Sequence, residues 1–185
     1  MNSYTISLVV GSLRKDSLNR KLAETIVQLA PPQFSFTSVR IDDLPLYNQD
    51  DDDRQADSVI RLKSQIADSD GVIFVTPEYN RSIPGVLKNA IDHASRPHST
   101  SAWRGKPAGM LGVSIGPGGS AMAQQHLRNV LAALGMPTMT QPEAYLRTRD
   151  GLFYDNGYIT EAGLKFLQRW MEQYVNWVTT FTAPS

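Results

Sequence analysis

The chain has 185 residues, 18 Lys and Arg against 18 Asp and Glu, a formal net charge of zero and no cysteine. Those counts exclude disulfides, thiolate metal sites, iron–sulfur ligation and a cysteine nucleophile, and the neutral balance lacks the basic footprint of a nucleic-acid binder. The length suits a single domain over 1–185, with a core large enough to need no staple. No stretch reaches the ~18 apolar residues of a membrane span, and Met1-Asn2-Ser3-Tyr4 lacks a basic leader region. The expected compartment is therefore the cytoplasm, with no membrane insertion.

Apolar periodicity then alternates along the chain. Ile6-Ser7-Leu8-Val9-Val10 is a short β-branched run ending at Gly11 and predicts a buried strand. Leu18, Leu22, Ile26 and Leu29 recur at helical spacing until Pro31-Pro32. Phe34–Ile41 returns to strand character, and Ala56, Val59, Ile60, Ile66 and Ala67 mark a helix closed by Asp68-Ser69-Asp70-Gly71. Val72-Ile73-Phe74-Val75 is an almost wholly apolar strand, as a strand covered on both faces should be. A helix follows from about Pro84 to Ser95, with proline favoured in its first turn. Pro107–Ser114 is a fourth strand, in which Gly109 and Gly112 let neighbours approach closely. Ala121–Leu134 is a helix ending at Gly135, and Thr138-Met139-Thr140 is expected to start a fifth strand. Leu164, Leu167, Met171, Tyr174, Val178 and Phe181 predict a long terminal helix with Thr160 as N-cap.

Strands alternating with helices of 10–15 residues specify βαβ units on a parallel sheet. Ligands of such sheets sit beyond the carboxyl ends of the strands, which directs attention to the segments after Val10, Val75 and Val113. The first, Gly11-Ser12-Leu13-Arg14-Lys15-Asp16-Ser17-Leu18-Asn19, opens a helix whose free N–H groups, with the hydroxyls and cations, suit a phosphate. Simple N-capping by Asp16 or Ser17 is the alternative. The spaced glycines of a dinucleotide fingerprint are missing, as is a Gly-Lys-Ser/Thr motif. The second, Thr76-Pro77-Glu78-Tyr79-Asn80-Arg81-Ser82-Ile83-Pro84-Gly85, has two prolines that limit its backbone freedom. It suits the edge of a planar heterocycle, or else is an ordinary surface connection. The third, Ser114-Ile115-Gly116-Pro117-Gly118-Gly119-Ser120, leaves little side chain between backbone and ligand.

Several other motifs are decoys. Gly112-Val113-Ser114-Ile115-Gly116 matches a nucleophile elbow, but its partners are missing: the last histidine is His126, with no acidic residue between it and Ser114. Asp50-Asp51-Asp52-Asp53 reads as a solvated acidic run before a helix rather than a cation site. His93 and His98 are five apart and share no helical face, so no metal site is expected. A phospho-acceptor receiver domain would need acidic residues where Gly11 and Thr76-Pro77 stand.

The three loops in this order resemble the NAD(P)H-dependent FMN reductase family, which includes bacterial quinone and chromate reductases. The resemblance runs from about Thr5 to Tyr145. It is carried by Gly11-Ser12-Leu13-Arg14 with Ser17 and Asn19, by Pro77-Glu78-Tyr79-Asn80 with Ile83-Pro84-Gly85, by Leu87-Lys88-Asn89-Ala90-Ile91-Asp92, and by Ser114-Ile115-Gly116 with Gly118-Gly119. It implies an α/β fold: a flavodoxin-like three-layer sandwich around a five-stranded parallel sheet of order 2-1-3-4-5. It implies bound FMN with NADPH or NADH as co-substrate. Ser12, Arg14, Ser17, Leu18 and Asn19 would hold the phosphate, Pro77, Glu78, Tyr79 and Asn80 would border the isoalloxazine ring, and Ser114, Gly116, Gly118 and Gly119 would flank its other edge.

The implied activity is ping-pong hydride transfer to FMN and then to quinone, flavin, azo or chromate acceptors, with no side chain nominated as catalytic nucleophile, acid or base. A flavodoxin-type electron carrier is the alternative function, although such carriers are usually strongly acidic. The family also implies a homodimer or homotetramer. Arg128 and Glu143 match positions used between dimers, while Gln125 stands where that network has a tyrosine. Two further departures are Arg81, where an aromatic residue is common, and His93, where tryptophan is common. Arg81 is a candidate substrate residue for anionic partners, the extra phosphate of NADPH or an oxyanion acceptor; a solvent-facing or interface arginine is the alternative.

Overall fold

The apolar runs pair into one parallel sheet. The computed structural model describes residues 3–151 and 159–182. Strands β1 (Tyr4–Val10), β2 (Phe34–Val39), β3 (Gly71–Val75), β4 (Ala108–Ser114) and β5 (Tyr145–Arg147) lie in the order β2-β1-β3-β4-β5, with every neighbouring pair parallel. This is the flavodoxin-like order that the resemblance implies.

Helices α1 (Leu18–Gln28) and α5 (Glu161–Thr182) cover one face of the sheet, and α2 (Asp57–Ala67), α3 (Gly85–Ala94) and α4 (Ala121–Ala133) cover the other. The pleat sorts the core between them. Ile73 and Val75 meet Leu22, Ile26 and Trp170 on the first face, while Val72 and Phe74 meet Leu62, Leu87 and Leu127 on the second. All five residues of β3 are consequently buried. Each fully buried leucine, isoleucine or valine contributes about 1.5–3 kcal/mol relative to exposure.

Helix ends follow the chemistry of their residues. The Gly163 N–H donates to Thr160 Oγ1 at 3.2 Å, so Thr160 caps α5 as its sequence position predicts. At the end of α4, Gly135 adopts φ +69° and its N–H reaches the Ala132 carbonyl, while the Met136 N–H reaches that of Leu131. That is a Schellman closure, which favours glycine. Leu164 and Phe181 belong to the predicted apolar stripe of α5 but sit 38% and 47% exposed. Leu167, Trp170, Met171, Tyr174 and Val178 carry the buried face.

The fifth strand is a correction. Thr138 makes one isolated parallel bridge to Ala108, and the ladder proper resumes only where Tyr145 pairs with Gly112. Pro142, which has no N–H to give to a ladder, lies in the gap between the two. Among the described residues no helix is long and apolar enough to cross a membrane.

Candidate functional site at the carboxyl rim of the sheet

Because the strands are parallel, the segments after β1, β3 and β4 leave from the same rim. The first segment is anchored where the Gly11 N–H donates to the Val75 carbonyl at 2.8 Å. Ser17 is the N-cap of α1: its hydroxyl accepts from the Arg20 N–H at 3.2 Å, and its carbonyl accepts from Arg20 and Lys21. The hydroxyl keeps its own proton for a further acceptor. The N–H groups of Leu18 and Asn19 have no partner among the described residues, as expected of a first helical turn. Ser12 and Ser17 are buried, whereas Leu13, Arg14 and Lys15 are exposed. The arrangement offers N–H and hydroxyl donors with a cation at one helix start.

The second segment begins with buried Thr76, whose hydroxyl donates to the Pro77 carbonyl at 2.9 Å. Tyr79 and Ser82 then exchange both backbone hydrogen bonds, at 2.9 and 3.0 Å, around a two-residue tip. The tip residues Asn80 and Arg81 have φ 52° and 68°, the geometry of a type I′ turn, in which Asn-Gly is preferred. Arginine is thus held in a left-handed conformation that costs roughly 1–2 kcal/mol for an ordinary L-residue. The hairpin rests on α4 through a 2.6 Å contact between Ser82 Oγ and His126 Nδ1.

The third segment folds back on its own start: Ser114 Oγ accepts from the Gly116 N–H at 3.0 Å, closing the loop on itself. Gly112 serves packing instead: a Cβ there would lie 2.0 Å from the Thr76 carbonyl oxygen and 2.6 Å from Ser120 Oγ. Gly119 has φ +59° and would meet the Tyr145 carbonyl at 2.7 Å, so its backbone and its neighbours both require glycine. Gly116 and Gly118 are different. The atoms nearest their missing Cβ positions are Ser114 Oγ at 3.4 Å and Glu78 Oε1 at 3.9 Å, which leaves a face without side chains beside the hairpin.

Two buried ties join the segments. The Asn19 amide donates to the Val113 carbonyl at 2.9 Å and accepts from the Val113 N–H at 3.0 Å, fastening the start of α1 to the end of β4. Glu78 Oε2 accepts from the N–H groups of Met122 and Ala123 at 2.9 and 3.2 Å, fastening the second segment to the first turn of α4. Sequence reading places both residues at the rim but foresees neither partner. It also misses Arg147, which pairs with Asp150 and donates to the Pro117 carbonyl at 3.2 Å, supporting the third loop. Only the true position of β5 brings it there.

The remaining candidates are dispersed. His93 is buried, and its Nε2 lies 2.8 Å from the Pro45 carbonyl, where it staples the segment before α2 onto α3. Asp50 and Asp51 lie in a short 3-10 turn capped by Asn48, and no cluster able to hold a metal ion occurs among the described residues. The Tyr145 hydroxyl donates to Glu143 at 2.7 Å and accepts from Gln125 at 2.7 Å. Burial first, and then Glu143, raises the tyrosine above its ordinary range. Arg128 donates to the Met139 carbonyl at 3.1 Å. A groove of about 920 Å³ lies beside the rim between α1 and β2, and of the site candidates it reaches Ser12.

Comparison with known proteins identifies the family. The model of the NADPH-dependent FMN reductase family matches residues 4–150. A 2-hydroxy-1,4-benzoquinone reductase from Burkholderia sp. is 51% identical over 174 residues, 94% of this chain and 95% of that protein. A quinone reductase from Pseudomonas putida is 46% identical over 176 residues, 95% of each. Among solved structures, the flavoenzyme NAD(P)H:(acceptor) oxidoreductase FerB from Paracoccus denitrificans superposes with TM-score 0.89 at 44% identity, covering 96% of this chain and 98% of that one. A flavodoxin from Pseudomonas aeruginosa, with TM-score 0.61 at 15% identity over 95% of this chain and 99% of its own, shares the fold.

Proposed function

The chain belongs to the NADPH-dependent FMN reductase family, and from that premise we propose that its carboxyl rim binds FMN and uses NADPH or NADH to reduce small-molecule acceptors, quinones first. The observation that carries this reading is the donor set at the start of α1. Two unpaired N–H groups, two buried hydroxyls and an exposed guanidinium stand in one short segment at the start of α1, which is the chemistry a phosphate requires. Ser12, Arg14 and Ser17 act there through side chains, and Leu18 and Asn19 through their N–H groups. Pro77, Glu78, Tyr79 and Asn80 border the ring on one side. Ser114, Gly116, Gly118 and Gly119 line the other, where the side-chain-free face of Gly116 and Gly118 admits a planar group.

When bound, the flavin supplies the hydride-accepting and hydride-donating chemistry; the chain's own residues orient it and shape its field. Nicotinamide and acceptor use one open face in turn, so the kinetics are ping-pong. Free flavin, azo dyes and chromate are further acceptors of the same face. A homodimer or homotetramer in the cytoplasm completes the reading, and light scattering that returns the 20.5 kDa mass of one chain at micromolar concentration overturns the assembly. Anaerobic mixing with NADPH tests the function: the flavin absorbance bleaches and a quinone restores it. Bound flavin that stays yellow for minutes overturns the reductase reading in favour of an electron carrier.

Arg14 provides a clean check of the phosphate assignment. A charge-assisted hydrogen bond to a bound anion is worth about 1.5–3 kcal/mol, so Arg14→Ala is expected to weaken FMN by roughly tenfold or more. Arg14 is exposed in the apo fold, so the melting temperature of the apo protein should not move. Isothermal titration with unchanged Kd removes Arg14 from the site.

Arg81 combines strain with exposure beside the ring site. Relief of the positive φ makes Arg81→Gly more stable by about 1 kcal/mol, visible as a rise in apo melting temperature. Its guanidinium matches phosphate-like oxygens, so the same variant should lose several-fold more kcat/KM for NADPH than for NADH. Stabilisation with equal losses for both nucleotides leaves Arg81 without a role in charge selection.

A further inference from the structure

The first turn of α4 contains no acidic residue, and its N-cap, Ser120, makes no side-chain capping bond. Its hydroxyl instead accepts from the Gln124 amide at 2.7 Å. The helix end is answered from another loop, by the Glu78 carboxylate through Oε2, while Glu78 Oε1 faces Gly118. A helix N-terminus carries about half a positive charge, so a full negative charge there leaves the spot negative. Among the described residues no cation forms an ion pair with Glu78. Arg147 is paired with Asp150, His126 contacts Ser82, and Arg81 is exposed at the hairpin tip.

We propose that Glu78 is a positioning residue that lowers the reduction potential of the bound flavin, by fixing a negative charge between the two loops that border the ring. This inference rests on the FMN reading above. Two electrons and one proton convert bound FMN to its anionic reduced form, so the cofactor gains one negative charge. A carboxylate between the flanking loops disfavours that charge and leaves the reduced flavin a stronger donor to acceptors. The effect is Coulombic and falls off with distance, so it acts through the place of the carboxylate between the loops. Glutamate at this place therefore does two things, closing the helix end by hydrogen bonds and biasing the flavin by its charge.

The two can be separated. Glu78→Gln keeps an oxygen for the Met122 and Ala123 N–H groups but removes the charge; Glu78→Asp keeps the charge on a shorter arm. Potentials of bound FMN are read against a reference dye under anaerobic, slowly reducing conditions. Glu78→Gln is expected to shift the ratio of reduced to oxidised flavin about tenfold at fixed poise, about 30 mV upward for a two-electron couple, with Glu78→Asp close to the parent. Where the glutamine variant holds flavin weakly, the ratio of Kd values for oxidised and reduced FMN reads the same tenfold. An unchanged potential in Glu78→Gln, equal shifts in both variants, or a glutamine variant that does not fold overturns the proposal while the parent's flavin binding leaves the FMN reading standing. A parent protein that binds no FMN overturns both.

Discussion

Gly112→Ala is expected to be among the most damaging single-methyl additions in this chain, lowering stability by at least about 3 kcal/mol and removing FMN binding. The added Cβ would stand 2.0 Å from the Thr76 carbonyl oxygen and 2.6 Å from Ser120 Oγ, and neither neighbour can yield cheaply. Thr76 is held in the ladder by its N–H to the Leu111 carbonyl at 3.0 Å, and Ser120 is fully buried beneath Gln124. Overpacking in a core costs typically 1–3 kcal/mol when side chains can rearrange; here backbone must move, so the cost lies at or above that range. For a chain of this length each kcal/mol lowers the melting temperature by roughly 2–4 °C, giving an expected fall of roughly 6–12 °C or more. The damage is also aimed at the site, because Thr76 starts the second loop and Ser120 ends the third. Gly116→Ala is the matched control: its Cβ meets only Ser114 Oγ, at 3.4 Å, and its apo stability should stay near the parent's. Equal melting temperatures for Gly112→Ala and the parent would mean that β3 and β4 are not clamped at the rim as the structure has them.

The rim was open to sequence reading because its residues contradict their surroundings. Glycine, proline and hydroxyl clusters stand immediately after wholly apolar strands, and the parallel topology inferred from alternation brings the ends of those strands to one side. The apolar periodicity of α1, α2 and α5 was equally direct. What local pattern does not carry is a partner far away in the chain. Asn19 meets Val113 across 94 positions, and Glu78 meets Met122 and Ala123 across 44 and 45. Both residue types are common in loops for purely local reasons, so nothing in their neighbours announces these ties. The edge strand misled for a related reason. Thr138-Met139-Thr140 has strand composition and makes one bridge, but the ladder resumes only at Tyr145–Arg147. The left-handed Arg81 is the reverse case, a residue whose type argues against the conformation that the hairpin imposes.

Asn19 gives the sharpest contrast between a side chain that faces the ligand and one that faces the protein. Its N–H lies in the first turn of α1, where a phosphate is proposed, but the residue is only 4% exposed and its amide is spent on Val113 in both directions. Asn19→Leu keeps the size, the helix and the N–H, and leaves a buried backbone donor and acceptor of β4 with one partner fewer each. A buried polar group left unsatisfied costs about 1–3 kcal/mol, so the pair costs roughly 2–6 kcal/mol, partly offset by the apolar surface that leucine buries. The apo protein should therefore melt lower by roughly 5–15 °C. Asn19→Asp should do at least as badly, because it removes the donor to the Val113 carbonyl and sets a carboxylate against that oxygen in a buried place. The signature differs from that of Arg14→Ala, in which FMN affinity falls and apo stability does not. If Asn19 instead holds the phosphate through its side chain, Asn19→Leu will weaken FMN with the apo melting temperature unchanged. Calorimetry of the apo variants, followed by FMN titration, reads both quantities on the same samples. A stability loss without FMN assigns the Asn19 side chain to the tie between α1 and β4, and its backbone N–H to the ligand.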